Sequence, residues 1–195
     1  RLTAECREPQ AGYRRFMEGH ASLWEGLDSL AEVGVAVLPE QVYFGNTQHQ
    51  RAVRAVTGHL LDAHVLFDYV IAGQFRLENL RKYKAVVLAQ VTQLSAAQDA
   101  DLRRYVEQGG GLVILGPLPE RDEKGLKLDA ARVAGIFPPA EKRERMAVRR
   151  VSQGRAAWTA DVPAESSETA GALADTVGRE LAVLSGVKNP AITKV

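Results

Sequence analysis

The stretch Leu94-Ser95-Ala96-Ala97-Gln98-Asp99-Ala100-Asp101-Leu102-Arg103-Arg104-Tyr105-Val106-Glu107-Gln108-Gly109-Gly110-Gly111-Leu112-Val113-Ile114-Leu115-Gly116-Pro117 holds a whole helix-to-strand unit. Ser95 and Gln98 have the spacing of a capping box, in which each side chain satisfies a backbone N–H left over at a helix start. Leu102, Tyr105 and Val106 recur at helical spacing and predict one inward face. Gly109-Gly110-Gly111 offers the left-handed residue that commonly ends a helix. Leu112 to Leu115 is then a short, uniformly apolar run closed by Gly116-Pro117, the pattern of a strand buried on both faces.

The same logic extends upstream. Val33 to Leu38 and Ala85 to Ala89 are apolar runs of the same kind, and Val65 to Ile71 is another predicted strand. Asn46 can cap a helix reaching about Ala63, with Val53, Val56, Leu60 and Leu61 on one side. Gly12 to Leu30 carries Phe16, Leu23, Trp24, Leu27 and Leu30 at mostly helical spacing, predicting a leading amphipathic helix. Short apolar strands separated by helical crossovers predict a parallel sheet with helices on both faces. After Pro119 the expected elements are a short helix from Leu128 to Ile136, a hairpin or edge strands from Met146 to Ala160, and a last helix from Glu165 to Leu184. The organisation expected is a helical linker over 1–31, an α/β domain over 32–186 and an exit linker over 187–195.

The 195 residues carry 25 Lys+Arg against 24 Asp+Glu, a net charge of +1, which offers no broad basic face for nucleic acid. No apolar run approaches the ~20 residues that a membrane helix needs. Cys6 is the sole cysteine, so an intrachain disulfide and a cysteine-rich metal site are excluded, and a reducing, cytoplasmic setting is expected. The chain opens on Arg1 and reads as a piece of something longer, or as a trimmed product.

The chemistry of the common enzyme classes is hard to place. Neither glycine-rich phosphate loop follows the first strand, and Gly109 to Gly111 precede a strand instead of opening a helix. The four histidines, His20, His49, His59 and His64, lie in the first third of the chain. Three are expected on one helix, solvated and scattered around it, so they form no metal pair and give no nucleophile its base. Glu40, with Asp68 as the other acid near a strand end, does not make the carboxylate pair of a glycosidase. The mixed-sign run from Glu141 to Arg150 reads as a solvated face. No metal and no cofactor are expected.

In a parallel α/β sheet, ligands bind beyond the carboxyl ends of the strands. That rim brings together Glu40, Gln41, Tyr43, Phe44 and Asn46 after the first strand and Gln90, Thr92 and Gln93 after the third. Glu40, Tyr43, Asn46, Gln90 and Gln93 are the candidate ligand-binding residues, suited to a polyol such as a sugar. Trp24, Phe44, Arg149 and Trp158 are the candidate interface residues, being of the types enriched at interfaces.

The apolar runs at Val33–Leu38 and Tyr83–Ala89, and the block "L-S", helix, "Y-V-x-x-G-G-x-L-V" from Leu94 to Val113, resemble the trimerisation domain of family 42 glycoside hydrolases, the bacterial β-galactosidase type. The resemblance spans Tyr13 to Pro117. It implies a glutamine-amidotransferase-like, flavodoxin-like three-layer αβα sandwich with a mostly parallel sheet and a helix before it. Active amidotransferases of this class place a Cys on the turn that here is Gly116-Pro117, and take a His from later in the chain, where none follows His64. The implied role is therefore non-catalytic: an oligomerisation or accessory domain of a glycoside hydrolase, partnered by copies of itself or by the catalytic barrel of its parent chain. The alternatives are a sugar-binding module at the rim and a hydrolase built around Glu40 and the Thr92 loop.

Overall fold

A computed structural model describes residues 4–23, 25–128, 141–143 and 146–162. The chain divides into two compact units, Arg1–Leu30 and Ala31–Val195.

In the first unit, helix α1 spans Ala4–Gly19 and a short 3₁₀ turn spans Ala21–Leu23. The predicted helix from Gly12 to Leu30 is thus displaced upstream. His20 ends it: a ring nitrogen donates to the Phe16 carbonyl at 2.7 Å, satisfying a last-turn acceptor. Gly26 then takes φ +75°, which breaks any continuation. Phe16, Leu23, Leu27 and Leu30 are exposed rather than buried on a shared face. Trp24 lies outside the described residues.

Among the described residues, the second unit is built on a seven-stranded sheet of order β2-β1-β3-β4-β7-β6-β5. The strands are β1 Val33–Val37, β2 Phe67–Ile71, β3 Ala85–Ala89, β4 Gly111–Leu115, β5 Glu141–Arg143, β6 Met146–Val151 and β7 Gly154–Thr159. The five from β2 to β7 are mutually parallel, and β6 and β5 add antiparallel to β7. The helices are α2 Glu40–Tyr43, α3 Gln48–Asp62, α4 Leu77–Leu80 and α5 Ala96–Glu107.

Strand alternation divides the core in two. Ala36, Val86, Leu88, Leu112 and Ile114 pack with Leu80 of α4 and Leu102, Tyr105 and Val106 of α5. Val33, Val35, Ala85, Val87, Val113 and Leu115 pack with Ala52, Val53, Val56 and Leu60 of α3. These are the three layers of an αβα sandwich, with α3 and α5 on opposite faces. The flavodoxin-like architecture expected from the sequence is the one observed.

The deciding stretch folds as its residues dictate. Ser95 accepts from the Gln98 N–H at 3.2 Å, and the Gln98 side chain accepts from the Ser95 N–H at 2.9 Å. Gly109 ends α5 at φ +106°, a conformation that strains any residue with a Cβ. The Tyr105 hydroxyl donates to the Tyr83 carbonyl at 3.0 Å, and burial pushes its pKa far up. Gly154 opens β7 where a Cβ would run into the carbonyl oxygens of Val106 and Gly110, so the end of α5 and the start of β7 meet backbone to backbone.

Several expectations need correction. The cap of α3 is Thr47, without a side-chain bond, and Asn46 instead donates across to the Gln90 carbonyl. The polar stretch before Tyr83 contains α4 and a 3₁₀ turn at Ala72–Gln74. The charged run from Glu141 forms β5 and β6, with Arg149 and Arg150 exposed. His64 lies beyond α3 at φ 56°, so it does not share the helix with His49 and His59. Asp68 stands opposite Gly34 near the start of β2, accepting from the Tyr83 hydroxyl at 3.2 Å, and so belongs to the amino end of the sheet. The helix expected from Leu128 lies, beyond Leu128 itself, outside the described residues, as do the last helix from Glu165 and the tail from Val187.

Candidate functional site

Chain direction across the sheet reverses at β1. From there the chain crosses by α3 to β2 on one side, then returns past β1 to β3, and continues by α5 to β4. The carboxyl ends of β1 and β3 flank the crevice that such a reversal creates. Residues 38–46 follow β1, and residues 90–95 follow β3.

Gln41, in α2, is fully buried and is the hub of the crevice. Its Nε2 donates to the Gln93 carbonyl at 2.8 Å, and its Oε1 accepts from the Thr92 N–H at 2.9 Å and from the Thr92 hydroxyl at 3.2 Å. Asn46 donates from Nδ2 to the Gln90 carbonyl at 2.7 Å and stands 3.3 Å from the Thr92 hydroxyl. Gln90 holds φ 51°, a left-handed turn that lets its N–H bond to the Leu115 carbonyl at 2.7 Å while its own carbonyl meets Asn46. Gln98, besides capping α5, donates to Glu40 Oε1 at 2.9 Å. The two loops are thereby stitched together by side-chain amides, of which Gln41 and Gln98 use both donor and acceptor and Asn46 donates.

Of the candidate ligand-binding residues, Glu40, Asn46, Gln90 and Gln93 come together here. Gln93 is 6 % exposed, and its Oε1 has no protein hydrogen-bond partner. Tyr43 stands apart from this network, 84 % exposed at the end of α2. Among the candidate interface residues, Phe44 is half exposed and Arg149 is exposed on β6. Trp158 packs partly against the α5-side core and donates from Nε1 to the Gly116 carbonyl at 2.8 Å.

Two residues were not singled out by sequence. His49 was expected in solvent but is buried, accepting from the Leu38 N–H and donating to the Ala89 carbonyl. The signal was present: His49, Ala52, Val53, Val56 and Leu60 form one helical stripe, all buried. Gln41 carried no such signal, since a four-residue helix has no periodicity to read.

The turn directly after β4, where the resemblance implies the thiol of an active amidotransferase, is Gly116-Pro117, with Gly116 at φ +96°. No group of His, Cys, Asp and Glu among the described residues could hold a metal ion. No helix among them is long and apolar enough to cross a membrane.

Comparison with known proteins now bears on this arrangement. Residues 41–132 match the model of a GLMA-like second domain. That region contains the whole crevice network except Glu40, together with β2, β3, β4 and α3 to α5. Solved structures extend the likeness beyond the GLMA-like region. A GH42 β-galactosidase from G. stearothermophilus is 13 % identical, with a TM-score of 0.66 over 85 % of this chain and 31 % of that one. The β-galactosidase of Bacillus circulans sp. alkalophilus is also 13 % identical, with a TM-score of 0.65 over 82 % of this chain and 32 % of that one. The polyextremophilic β-galactosidase of the Antarctic haloarchaeon Halorubrum lacusprofundi is 16 % identical, with a TM-score of 0.61 over 84 % and 32 %. At these identities what is shared is the fold. The chain spans about a third of the length of these enzymes. No curated protein sequence matches it. The resemblance read from the sequence therefore agrees with both the matching family model and the shared fold.

Proposed function

We propose that this chain is a non-catalytic association domain of a β-galactosidase-like glycoside hydrolase, with residues 1–31 linking it to the catalytic barrel of its parent. One observation carries the reading: the GLMA-like scaffold is intact, while the turn after β4 that would present a nucleophile is Gly116-Pro117. The crevice supports it too, since the Gln41 amide is committed at both ends to the loop after β3, as suits a part that must hold shape.

The edges of the sheet support self-association. At one edge, β5 is Glu-Lys-Arg, charged as an edge strand that avoids pairing should be. At the other, β2 is Phe-Asp-Tyr-Val-Ile, with Tyr69 and Ile71 about half exposed and Phe67 stacked edge-to-face on Tyr69. Leu61 and Leu66 are exposed nearby in sequence. A second copy of the chain is the occupant this edge suits. A stable interface needs roughly 800 Å² from each partner, so further surface must join the edge, and Phe44 is a candidate, whereas Arg149 on β6 lies toward the opposite side of the sheet. Sedimentation equilibrium of the chain tests the reading: a defined oligomer supports it, and a monomer at every concentration refutes it. The sole cysteine favours a reducing compartment, and we place the parent in the cytoplasm.

A second reading is a sugar-binding module at the rim, with the exposed Tyr43 ring as a stacking face and the polar groups of Glu40, Asn46, Gln90 and Gln93 as its hydrogen-bonding candidates. A sugar present at 100 times its Kd would raise stability by about 2.7 kcal/mol, visible as a higher Tm. A flat response across a panel of mono- and disaccharides removes this reading.

A further inference from the structure

At the reversal point of the sheet one imidazole bridges the backbone of the two strand ends. β1 and β3 pair only from Val33 with Ala85 to Val35 with Val87, although the strands run on to Val37 and Ala89. Past that register His49 spans the two chains. It is 1 % exposed, its Nε2 accepts from the Leu38 N–H at 3.0 Å, and its Nδ1 lies 2.7 Å from the Ala89 carbonyl. An N–H only donates and a carbonyl only accepts, so one form of the ring satisfies both: a proton on Nδ1 and a lone pair on Nε2. A second proton would set Nε2–H against Leu38 N–H, donor facing donor, both out of water.

The surroundings reinforce this. Both bonds to the ring are made by backbone, at Leu38 just past β1 and at Ala89 of β3. His49 is the second residue of α3, where the unpaired N–H groups of the helix start disfavour a cation. Its neighbours on the inner stripe, Ala52 and Val53, are apolar. Glu40 of α2 is the charged group whose field reaches the ring, and it favours the protonated form. Burial outweighs it and holds the imidazole below its ordinary 6.5.

We propose that His49 is an acid-opened staple: on acidification its ring gains a proton, the bond to Leu38 breaks, and residues 38–46 with the first turn of α3 part from the carboxyl end of β3. The device goes beyond the association role and does not depend on it. Its consequence is that the crevice network of Gln41, Asn46 and Thr92 holds its shape at neutral pH and loosens in acid, without any change in the layers beneath.

The sign follows from linkage. The unfolded ring binds its proton near 6.5 and the folded ring resists, so the stabilising contribution is complete above 6.5 and is lost as the pH falls. The test is urea unfolding of the full chain between pH 8 and pH 5, for the wild type, His49→Gln and His59→Gln. The wild-type folding constant is expected to fall by up to about tenfold per pH unit below 6.5, one proton being taken up on unfolding. His49→Gln, whose amide donates and accepts without titrating, is expected to flatten that slope, and His59→Gln to keep it. An unchanged slope in His49→Gln overturns the proposal. Should that variant not fold, wild-type NMR decides. A ring protonated on Nδ1 alone at pH 7, with Leu38 amide protection lost in step with ring charging, supports the staple. A ring that charges while the Leu38 amide stays protected refutes it.

Discussion

At the scale of single residues, the crevice is organised by Gln41. It is wholly buried, and both ends of its amide are committed across 51 and 52 residues of sequence. Replacing it with Ala leaves the Gln93 carbonyl and the Thr92 N–H without partners. Gln41→Ala is therefore expected to cost about 2–3 kcal/mol, read from the midpoint of urea unfolding at unchanged slope. A loss below about 0.5 kcal/mol would mean that water replaces the amide freely and that the crevice is open rather than tied. Sequence showed that Gln41, Asn46, Gln90 and Thr92 share a rim, because strand ends place loops there. It did not show that these residues satisfy one another. A polar side chain in a loop reads the same whether its partner is a ligand, water or another loop, and only the distances separate the cases.

At the scale of elements, legibility tracked the strength of local signals. The capping box at Ser95 and Gln98, the glycine stop after α5 and the uniformly apolar β3 and β4 were all legible, because each is decided by near neighbours. The leading helix was misplaced because the apolar residues from Phe16 to Leu30 keep helical spacing while His20 and Gly26 break the backbone. Asn46 is not the cap for a different reason: its side chain is directed to the Gln90 carbonyl, 44 residues away, and the helix starts one residue later, after Thr47. The contact between α5 and β7 was likewise invisible in sequence, since it depends on what Gly154 lacks. Gly154→Ala is expected to destabilise by about 2–3 kcal/mol, the cost of forcing backbone apart in a packed layer, and to lower Tm by several degrees. A neutral result would show that α5 shifts freely over the sheet.

At the scale of the whole molecule, the two edges of the sheet differ in kind. A charged β5 resists pairing, whereas β2 carries a half-exposed aromatic and a half-exposed isoleucine. A chain with no use for β2 would be expected to blunt it as it blunts β5. The fold, the GLMA-like match over residues 41–132 and the glycine in place of a nucleophile all fit a domain kept for what it holds together. The interface residues foreseen from sequence were chosen by type, which is why Trp158 was included although its indole is tied to Gly116. The β2 edge was overlooked because an apolar strand reads as core until its neighbours are known. Light-scattering mass across a hundredfold range of concentration, for the wild type beside Tyr69→Lys, tests the association claim most directly. The account predicts a fixed multiple of the protomer mass for the wild type and a lower mass for the variant. A wild-type mass equal to one protomer throughout would contradict it.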